Sequence, residues 1–420
     1  MIHTLRALLA VIAIAAAAPL HAQAPTPASD PNMARALRVL RTSPVIDGHN
    51  DLPWRIREDT VHYRDVDAYD LRGRTAGMTD IERLRRGHVG GQFWSIYIPG
   101  EPRDSTYHAS GAVVSTPGYA RAQLEQIDIA RRVIARYPEL EWATTADALR
   151  RAFTRHRVGS LLGLEGGHAI ENSLALLRVY YELGARYMTL THNVTLDWAD
   201  AALDSARHHG LTPFGREVVR EMNRIGMLVD LSHVSPGTMS AALDVSDAPV
   251  IFSHSGARAL VDHPRNVPDS ILARLPKNGG VVMVPFVNSF VSAAVKADDD
   301  SLARLPTWRA THRRPLAAVT DVADHIDHVR KIAGVDHVGI GSDFDGIPET
   351  VVGLEDVSKF PAVFAELARR GWSDADLAKL ASGNVLRALR RAELVSATLK
   401  TRKPSTATIE RLDGARPSLP

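Results

Sequence analysis

A histidine and an aspartate two positions apart follow the first apolar residues of the chain, in the segment Val45-Ile46-Asp47-Gly48-His49-Asn50-Asp51. Side chains two positions apart on a strand point the same way, so the His49 imidazole and the Asp51 carboxylate would leave the strand together. Such a pair could bind one metal ion. An isolated His-x-Asp pair is also compatible with a polar turn in which Asp47 or Asp51 caps the next segment.

Histidines and acids recur at the ends of later apolar runs. These residues are Glu165, His192, His233, His254 and Asp343. Polar residues that only cap turns would be scattered over both ends of the runs, whereas these follow the carboxyl ends. The recurrence therefore favours one shared site over a series of unrelated turns.

Eight apolar runs, separated largely by segments with helical spacing, predict eight strands. The runs are 45–54, 91–99, 159–168, 187–192, 227–233, 249–255, 280–286 and 337–345. Continuous Val, Ile and Leu are typical of parallel strands buried on both faces. The alternation predicts an α/β fold, a (β/α)₈ TIM barrel, whose active site lies at the carboxyl ends of the strands.

Any metal site here must use histidine and carboxylate ligands, because the chain contains no cysteine. Disulfides and a thiol nucleophile are excluded for the same reason. Such ligands suit zinc, and less well manganese, iron or cobalt. A catalytic zinc usually takes three protein ligands and a water, and this chain offers more donors than that. We therefore expect two zinc ions per chain.

Glu165 is the candidate bridge between the two ions. One ion would be bound by His49, Asp51 and Glu165, and the other by Glu165, His233 and His254. Two ions about 3.5 to 4 Å apart can hold a shared hydroxide, lower its pKa toward neutrality and polarise a carbonyl group. The expected chemistry is hydrolysis.

Two further residues are candidates for catalysis. Asp343 could take the proton from the bridging water and pass it to a leaving amine, or it could be a third ligand of one metal. His192 could hydrogen-bond the developing oxyanion, or it could only position a metal ligand without contacting the substrate. We expect Asp345, Asp230 and His168 to have supporting roles.

Length and composition allow two or three domains or one large barrel, and the strand count favours the barrel. The chain has 420 residues, of which 45% are hydrophobic and 23% charged. Its 50 Lys and Arg are interspersed with 48 Asp and Glu, so there is no basic footprint for nucleic acid. We expect small molecules as partners.

The first residues have the pattern of a secretory signal peptide. Arg6 precedes an uncharged run from Ala7 to Ala18, and small residues follow. A transmembrane span needs roughly 20 apolar residues, so a cleaved signal over 1–22 fits better than the alternative, an uncleaved anchor. Cleavage after Ala22 or Ala24 predicts a protein secreted across the inner membrane into the periplasm.

The remaining chain divides into three parts. Residues 23–40 are expected to be a linker and the start of the first helix, and 41–395 the barrel domain. Residues 396–420 are expected to form a loose tail, because Pro, Ser and Thr are concentrated near the end.

Eight short motifs, in a specific order, resemble those of the renal (membrane) dipeptidase family over about Val45 to Arg391. They are Asp-Gly-His-Asn-Asp-Leu-Pro-Trp at 47–54, Gly-Gly-Gln-Phe-Trp-Ser at 90–95, Glu-Gly-Gly-His at 165–168, Leu-Thr-His at 190–192, Asp-Leu-Ser-His at 230–233, Phe-Ser-His-Ser at 252–255, Arg-Asn-Val-Pro-Asp at 265–269 and Asp-Phe-Asp-Gly at 343–346.

The resemblance implies a dizinc dipeptidase with a barrel of the metallo-dependent hydrolase type and the ligand set given above. It implies Asp343 as the acid and base, and His192 near the substrate carbonyl oxygen. It also implies that Arg265 holds the terminal carboxylate of the substrate. The residues alone support the last role only to the extent that a guanidinium suits a carboxylate.

Two departures limit what the resemblance implies. Vertebrate members have disulfide cysteines and a carboxyl-terminal signal for a lipid anchor, which this sequence lacks, so we expect no stable membrane anchor. Strand seven of the family ends in Asn-aromatic-Tyr where this chain has Pro285-Phe286-Val287, so a tyrosine contact to substrate is not implied. A homodimer remains a candidate assembly.

Three functions are compatible with these features. The first is hydrolysis of dipeptides, including those with a D-residue at the carboxyl side. The second is an amidohydrolase-like reaction on another small substrate, such as a lactonase or deaminase reaction. The third is a non-catalytic periplasmic peptide-binding barrel. The complete ligand set together with Arg265 favours the first, because it fits a substrate with a free carboxylate.

Overall fold

The computed structural model describes residues 30–100 and 118–414. The signal peptide expected over 1–22 lies outside the described residues. The strands are β1 (Val45–Asn50), β2 (Val89–Ser95), β3 (Leu140–Trp142), β4 (Val158–Glu165), β5 (Ala185–Thr189), β6 (Leu228–Asp230), β7 (Val250–Phe252), β8 (Val281–Val284) and β9 (Val338–Ile340).

Eight of these strands close into a parallel barrel. The order is β2-β1-β9-β8-β7-β6-β5-β4, and β2 also pairs with β4, which closes the ring. The short β3 pairs with Val158 to Ser160 of β4, before β5 joins that strand at Leu162. The predicted (β/α)₈ barrel is confirmed, and β3 is an additional strand that the sequence pattern did not predict.

The helices cover the outside and one end of the barrel. They are α1 (Pro31–Thr42), α2 (Leu52–Arg57), α3 (Ile81–Arg86), α4 (Tyr119–Arg136), α5 (Ala146–Thr154), α6 (Leu174–Glu182), α7 (Pro213–Ile225), α8 (Pro236–Val245), α9 (Asp269–Leu272), α10 (Leu275–Asn278), α11 (Asn288–Val291), α12 (Ala293–Arg304), α13 (Val319–Ala333), α14 (Phe360–Arg369), α15 (Asp374–Ala378), α16 (Asn384–Thr398) and α17 (Ile409–Asp413). None of these helices is long and apolar enough to cross a bilayer.

Helix α7 shows how local sequence sets the boundaries of these elements. Thr212 is its N-cap, and the Thr212 side chain accepts a hydrogen bond from the backbone N–H of Gly215, while Pro213 fills the first helical position. Gly226 ends the helix with a φ of 88°, a left-handed conformation that glycine adopts without strain.

Adjacent residues of each barrel strand face opposite sides of the wall, as the pleat requires. Ile46, Phe93 and Leu161 belong to a buried inner cluster, which Leu389 of α16 joins. Asn384, also on α16, donates to the carbonyl of Val338 at the start of β9. Helix α16 therefore covers the amino ends of the strands, which leaves the carboxyl ends for the functional site.

The expected loose tail differs from the structure as far as the described residues extend. Helix α16 continues to Thr398, and α17 packs with Ile409 only 5% exposed. The Asp413 carboxylate accepts hydrogen bonds from the Thr212 hydroxyl at 2.5 Å and the Phe214 N–H at 3.0 Å. Composition alone did not indicate this attachment, because it depends on one apolar residue and one capping carboxylate that contact α7.

Candidate metal centre

The candidate ligands lie together at the carboxyl rim of the barrel. His49 is within β1 and Glu165 is the last residue of β4, whereas the others follow their strands by one to three residues. Those others are Asp51 after β1, His192 after β5, His233 after β6, His254 after β7 and Asp343 after β9. The shared rim brings together residues that are far apart in the sequence.

Part of the rim has an unusual backbone conformation. His233, Asp343 and Asp345 have φ angles of 68°, 67° and 65°. The left-handed region is uncommon for residues other than glycine, and such residues are concentrated at functional sites. These three positions are therefore consistent with a functional rim.

The Glu165 carboxylate lies at the centre of the cluster. Its Oε2 atom is 3.3 Å from Nε2 of His49, and its Oε1 atom is 3.0 Å from Nε2 of His233 and 3.6 Å from Nε2 of His254. The Ser95 hydroxyl donates to Oε2 at 3.0 Å. The two oxygens therefore face two different sets of histidines, as a bridging carboxylate requires.

The other acids lie beside His49. Oδ2 of Asp51 is 3.2 Å from Nε2 of His49, and Oδ1 of Asp343 is 4.0 Å from the same atom. Three overlapping groups have ligand atoms within 4.8 Å of one another: His49, Glu165 and His254; Glu165, His192 and His233; and His49, Asp51 and Asp343. The structure thus brings the five predicted ligands together, and it places His192 and Asp343 equally near.

Three buried histidines of the cluster each hydrogen-bond through Nδ1 to an oxygen outside it. Nδ1 of His49 is 2.8 Å from the Tyr187 hydroxyl, and Nδ1 of His233 is 3.1 Å from the side-chain oxygen of Asn193. Nδ1 of His254 is 2.9 Å from Oγ of Ser253. If each Nδ1 carries the proton, each Nε2 presents a lone pair to the centre, which is how a neutral histidine binds a metal.

The donor atoms fit a metal better than they fit one another. Nε2 of His233 and Nε2 of His254 are only 2.8 Å apart beside a carboxylate. Nε2 of His49 and Oδ1 of Asp51 are buried without any hydrogen-bond partner. Buried polar atoms without partners are rare, and divalent cations bound among these donors would satisfy them.

The electrostatics of the cluster also favour a cation. Burial opposes ionisation of Glu165, but His49 and His233 outweigh it and hold the pKa of the carboxyl well below its usual range. Burial lowers the pKa of His233 and His254, and the nearby positive charge of Arg265 adds to the effect, so neutral imidazoles are favoured at both positions.

The pKa values of His49 and Asp343 are shifted upward. Burial opposes the charge of His49, but Tyr187, Glu165 and Asp51 outweigh it and raise its pKa, so positive charge is favoured at that position. Burial raises the pKa of Asp343 well above its usual value, and the neighbouring carboxylates of Asp51 and Glu165 act in the same direction. A proton-exchanging role needs a carboxyl group of this kind.

Arg265 and His192 lie next to the cluster. Arg265 is only 2% exposed, its Nη1 atom has no hydrogen-bond partner, and burial lowers its pKa to about 10. The guanidinium lies 5.3 Å from the Phe290 ring centre. The half-buried His192 ring is 4.4 Å from that of His233 and 4.9 Å from that of Tyr97. Arg265 is therefore a buried cation that an anion could still pair with.

The residues expected to have supporting roles are not in the ligand groups. One Asp345 oxygen accepts from the Met78 N–H at 2.6 Å, and Nε2 of His168 is 3.0 Å from the carbonyl oxygen of Ile98. Asp230 accepts hydrogen bonds from neighbouring strands. Val287 is the half-buried residue before α11.

Sequence reasoning did not identify the residues that hold the histidine rings. Tyr187 and Ser253 lie inside apolar strand patterns, and Asn193 follows His192 directly. Tyr187 lies two residues before the end of β5, so its side chain faces the same way as the last residue of that strand. The same spacing relates His49 to Asp51, so a polar side chain at this position could have indicated Tyr187. Nothing in the sequence indicates the Ser95 contact to Glu165.

Comparisons with known proteins identify the family of the chain. The model of the membrane dipeptidase family (peptidase family M19) matches residues 33–403. Dipeptidase 3 of Rattus norvegicus is 43% identical over 374 residues, which are 87% of this chain and 69% of the rat protein. Dipeptidase 3 of Mus musculus is 42% identical over the same length, 87% of this chain and 68% of the mouse protein.

Two solved structures show the same fold. The probable dipeptidase PvdM from Pseudomonas aeruginosa is 24% identical with a TM-score of 0.74, covering 87% of this chain and 99% of that one. A metallopeptidase from Rhodobacter sphaeroides is liganded with a phosphinate mimic of the dipeptide L-Ala-D-Ala. It is 27% identical with a TM-score of 0.68, and the match covers 83% of this chain and 99% of that one. The chain therefore belongs to the membrane dipeptidase family, peptidase family M19, as its motifs predict.

Proposed function

We propose that this protein hydrolyses dipeptides that have a free carboxyl terminus, using two zinc ions bridged by Glu165. The observation that carries the proposal is the position of Glu165, whose two oxygens face His49 on one side and His233 and His254 on the other. Family membership supports the dipeptidase activity.

The bound metal, Asp343 and His192 have separate proposed roles in the reaction. Bound zinc would polarise the scissile carbonyl and lower the pKa of a water toward neutrality. Asp343, whose pKa burial raises, would accept the proton of the attacking water at a carboxylate oxygen and deliver it to the leaving amine. His192 would donate a hydrogen bond to the carbonyl oxygen as negative charge develops there.

Arg265 defines the other end of the substrate. A buried guanidinium with an unpaired Nη1 atom is unfavourable unless a partner arrives, and a carboxylate is the partner that best matches its planar donors. If Arg265 pairs with the carboxylate of the residue that follows the scissile bond, the substrate is limited to a single residue beyond that bond. This limit is what distinguishes a dipeptidase from a general aminopeptidase.

Substrates with a D-residue at the carboxyl side are part of the proposal. The Rhodobacter sphaeroides metallopeptidase is liganded with a mimic of L-Ala-D-Ala, which supports our proposal that this protein accepts that stereochemistry. A free carboxylate that pairs with Arg265 fixes the substrate by its terminus, so the side chain on that residue is less constrained than the carboxylate itself.

A dipeptide panel assayed with zinc-loaded protein tests the proposal. The panel pairs L-Ala-L-Ala with L-Ala-D-Ala, each with its carboxyl-terminal amide, and adds a tetrapeptide. We expect hydrolysis of both free acids, a steep rise in KM for the amides and no useful cleavage of the tetrapeptide. Efficient cleavage of the tetrapeptide or of the amides, or hydrolysis of lactones in place of dipeptides, would contradict it.

A further inference from the structure

Behind the metal centre lies a fully buried carboxylate, Asp230, at the end of β6. Its Oδ1 atom accepts from the backbone N–H of Ser253 at 2.8 Å and of Ser232 at 3.1 Å. Its Oδ2 atom accepts from the Thr189 hydroxyl at 2.7 Å and from the Ser253 hydroxyl. Asp230 itself touches none of the predicted ligands, but Ser253 precedes His254 directly.

The Ser253 hydroxyl has one proton and, besides Nδ1 of His254, two acceptors for it. One is the Asp230 carboxylate, and the other is Oγ of Ser232, which is 3.5 Å away and therefore much weaker. When the proton goes to the carboxylate, Ser253 has only lone pairs left for Nδ1 of His254, at 2.9 Å. Nδ1 must then carry the proton, and Nε2 of His254 is bare.

We propose that Asp230 is a positioning residue for the metal centre: acting through Ser253, it fixes the tautomer and the orientation of His254. The inference rests on the proposed function, because it needs His254 to be a metal ligand. His49 and His233 are oriented by a phenol and an amide oxygen, which are neutral. Of these three histidines in the described chain, only His254 hydrogen-bonds through Nδ1 to a group that itself donates to a carboxylate.

A second buried carboxylate provides a matched contrast. Asp47 is also fully buried and accepts from the Ser342 N–H and hydroxyl, both at 2.7 Å, and from the Gln92 amide at 3.0 Å. Its serine bonds to a backbone carbonyl, that of His49 at 3.2 Å, and not to an imidazole ring. Asp47 therefore has the same kind of hydrogen-bond network, which reaches the backbone of His49, including its N–H at 3.4 Å, but no imidazole ring.

The test measures zinc affinity by competition with a chelator, in D230N, S253A and the double variant. In D230N the new amide can donate to Ser253, so the serine proton turns toward Nδ1 of His254 and leaves Nε2 protonated, a wrong-tautomer effect known from carboxylate-to-amide changes behind histidine. We expect one of the two zinc equivalents to bind about 10- to 100-fold more weakly in each single variant.

The double variant and two controls separate positioning from structural damage. Both single changes break the same chain of hydrogen bonds from Asp230 through Ser253 to His254. The double variant should therefore bind zinc no more weakly than whichever single variant has the lower zinc affinity. D47N and T189V remove comparable buried hydrogen bonds and should keep both zinc affinities within about threefold of wild type. In S253A, Asp230 still accepts three hydrogen bonds. This variant therefore provides the test if D230N fails to fold.

Two results would overturn the inference. One is unchanged zinc affinity in folded S253A, and the other is a D47N variant that loses zinc to the same extent as D230N. If the wild-type protein binds no zinc at all, the proposed function fails together with this inference. If the wild type binds two equivalents and S253A binds them equally well, only the inference about Asp230 fails.

Discussion

The two ends of the barrel both carry polar and basic residues, but these residues have different surroundings. At the amino end, a cavity of about 580 Å³ is lined by Arg41, His88, His156 and Arg157 among others. At the carboxyl end, buried atoms of His49, Asp51 and Arg265 have no hydrogen-bond partner. Every candidate metal group among the described residues lies at the carboxyl end.

This difference shows that a cavity with polar residues in its lining does not by itself locate the chemistry. The polar side chains that line the amino-end cavity are exposed or half-buried, so water can hydrate them and none of them requires a ligand. The carboxyl end holds desolvated donors and acceptors whose partners must come from outside the chain. Substitutions at the carboxyl end should therefore affect catalysis strongly, and those at the amino end should affect mainly stability.

The largest effect is expected for Glu165→Gln. An amide cannot bridge two cations with both of its terminal atoms, so activity should disappear and most of one zinc equivalent should be lost. Elemental analysis and a dipeptide assay measure the two effects. Asp345→Asn is the matched control, because Asp345 is buried at the same rim but bonds to the Met78 N–H, and its metal content should stay nearly intact.

Asp343→Asn should have the next largest effect. Proton transfer by a positioned group typically contributes about 10² to 10⁴ in rate, so kcat should fall by that order while two zinc ions remain bound. Metal content measured alongside kcat distinguishes the roles. Loss of one zinc equivalent in parallel with activity would make Asp343 a ligand, and an unchanged kcat would exclude it from the mechanism.

Arg265→Ala should weaken substrate binding more than it slows turnover. Loss of one partner of a buried charge pair costs roughly 2 to 5 kcal/mol, which should appear mainly as a higher KM for free dipeptides. The same variant should discriminate little between a dipeptide and its amide. A variant that still prefers the free acid strongly would show that another group binds the carboxylate.

The smallest effect is expected at the amino end, for His156→Gly. His156 is exposed and has a φ of 56°, which is strained for a residue with a Cβ atom. Glycine should relieve this strain and stabilise the fold by no more than about 1 kcal/mol, seen as a slightly higher Tm. The value of kcat/KM should stay within about twofold of wild type, and a large loss would show that the amino end contributes to catalysis.

The sequence predicted the barrel and the rim because both depend on short-range patterns. Continuous apolar runs such as Gly280 to Phe286 predict buried parallel strands, and the position of His254 after such a run predicts the rim. The family was predicted from its motifs and is confirmed. The ligand assignments and the roles of Asp343, His192 and Arg265 remain predictions that the geometry supports.

The rest depended on contacts that the sequence does not encode locally. Tyr187 orients His49 although 138 positions separate them, and only the closed barrel brings the two together. The capping role of Asp413 depends on the packing of α17 against α7, 199 positions away from Phe214 in the sequence. Periodicity gives no information about such pairs, because it specifies which face a residue occupies and not its partner.

The most direct test of the central claim is the anomalous diffraction of zinc-loaded crystals at the zinc edge. The claim predicts two peaks about 3.5 to 4 Å apart, with one oxygen of Glu165 bound to each and with His49 on one side and His233 and His254 on the other. A single peak in fully active protein, or two ions of which only one contacts Glu165, would contradict it.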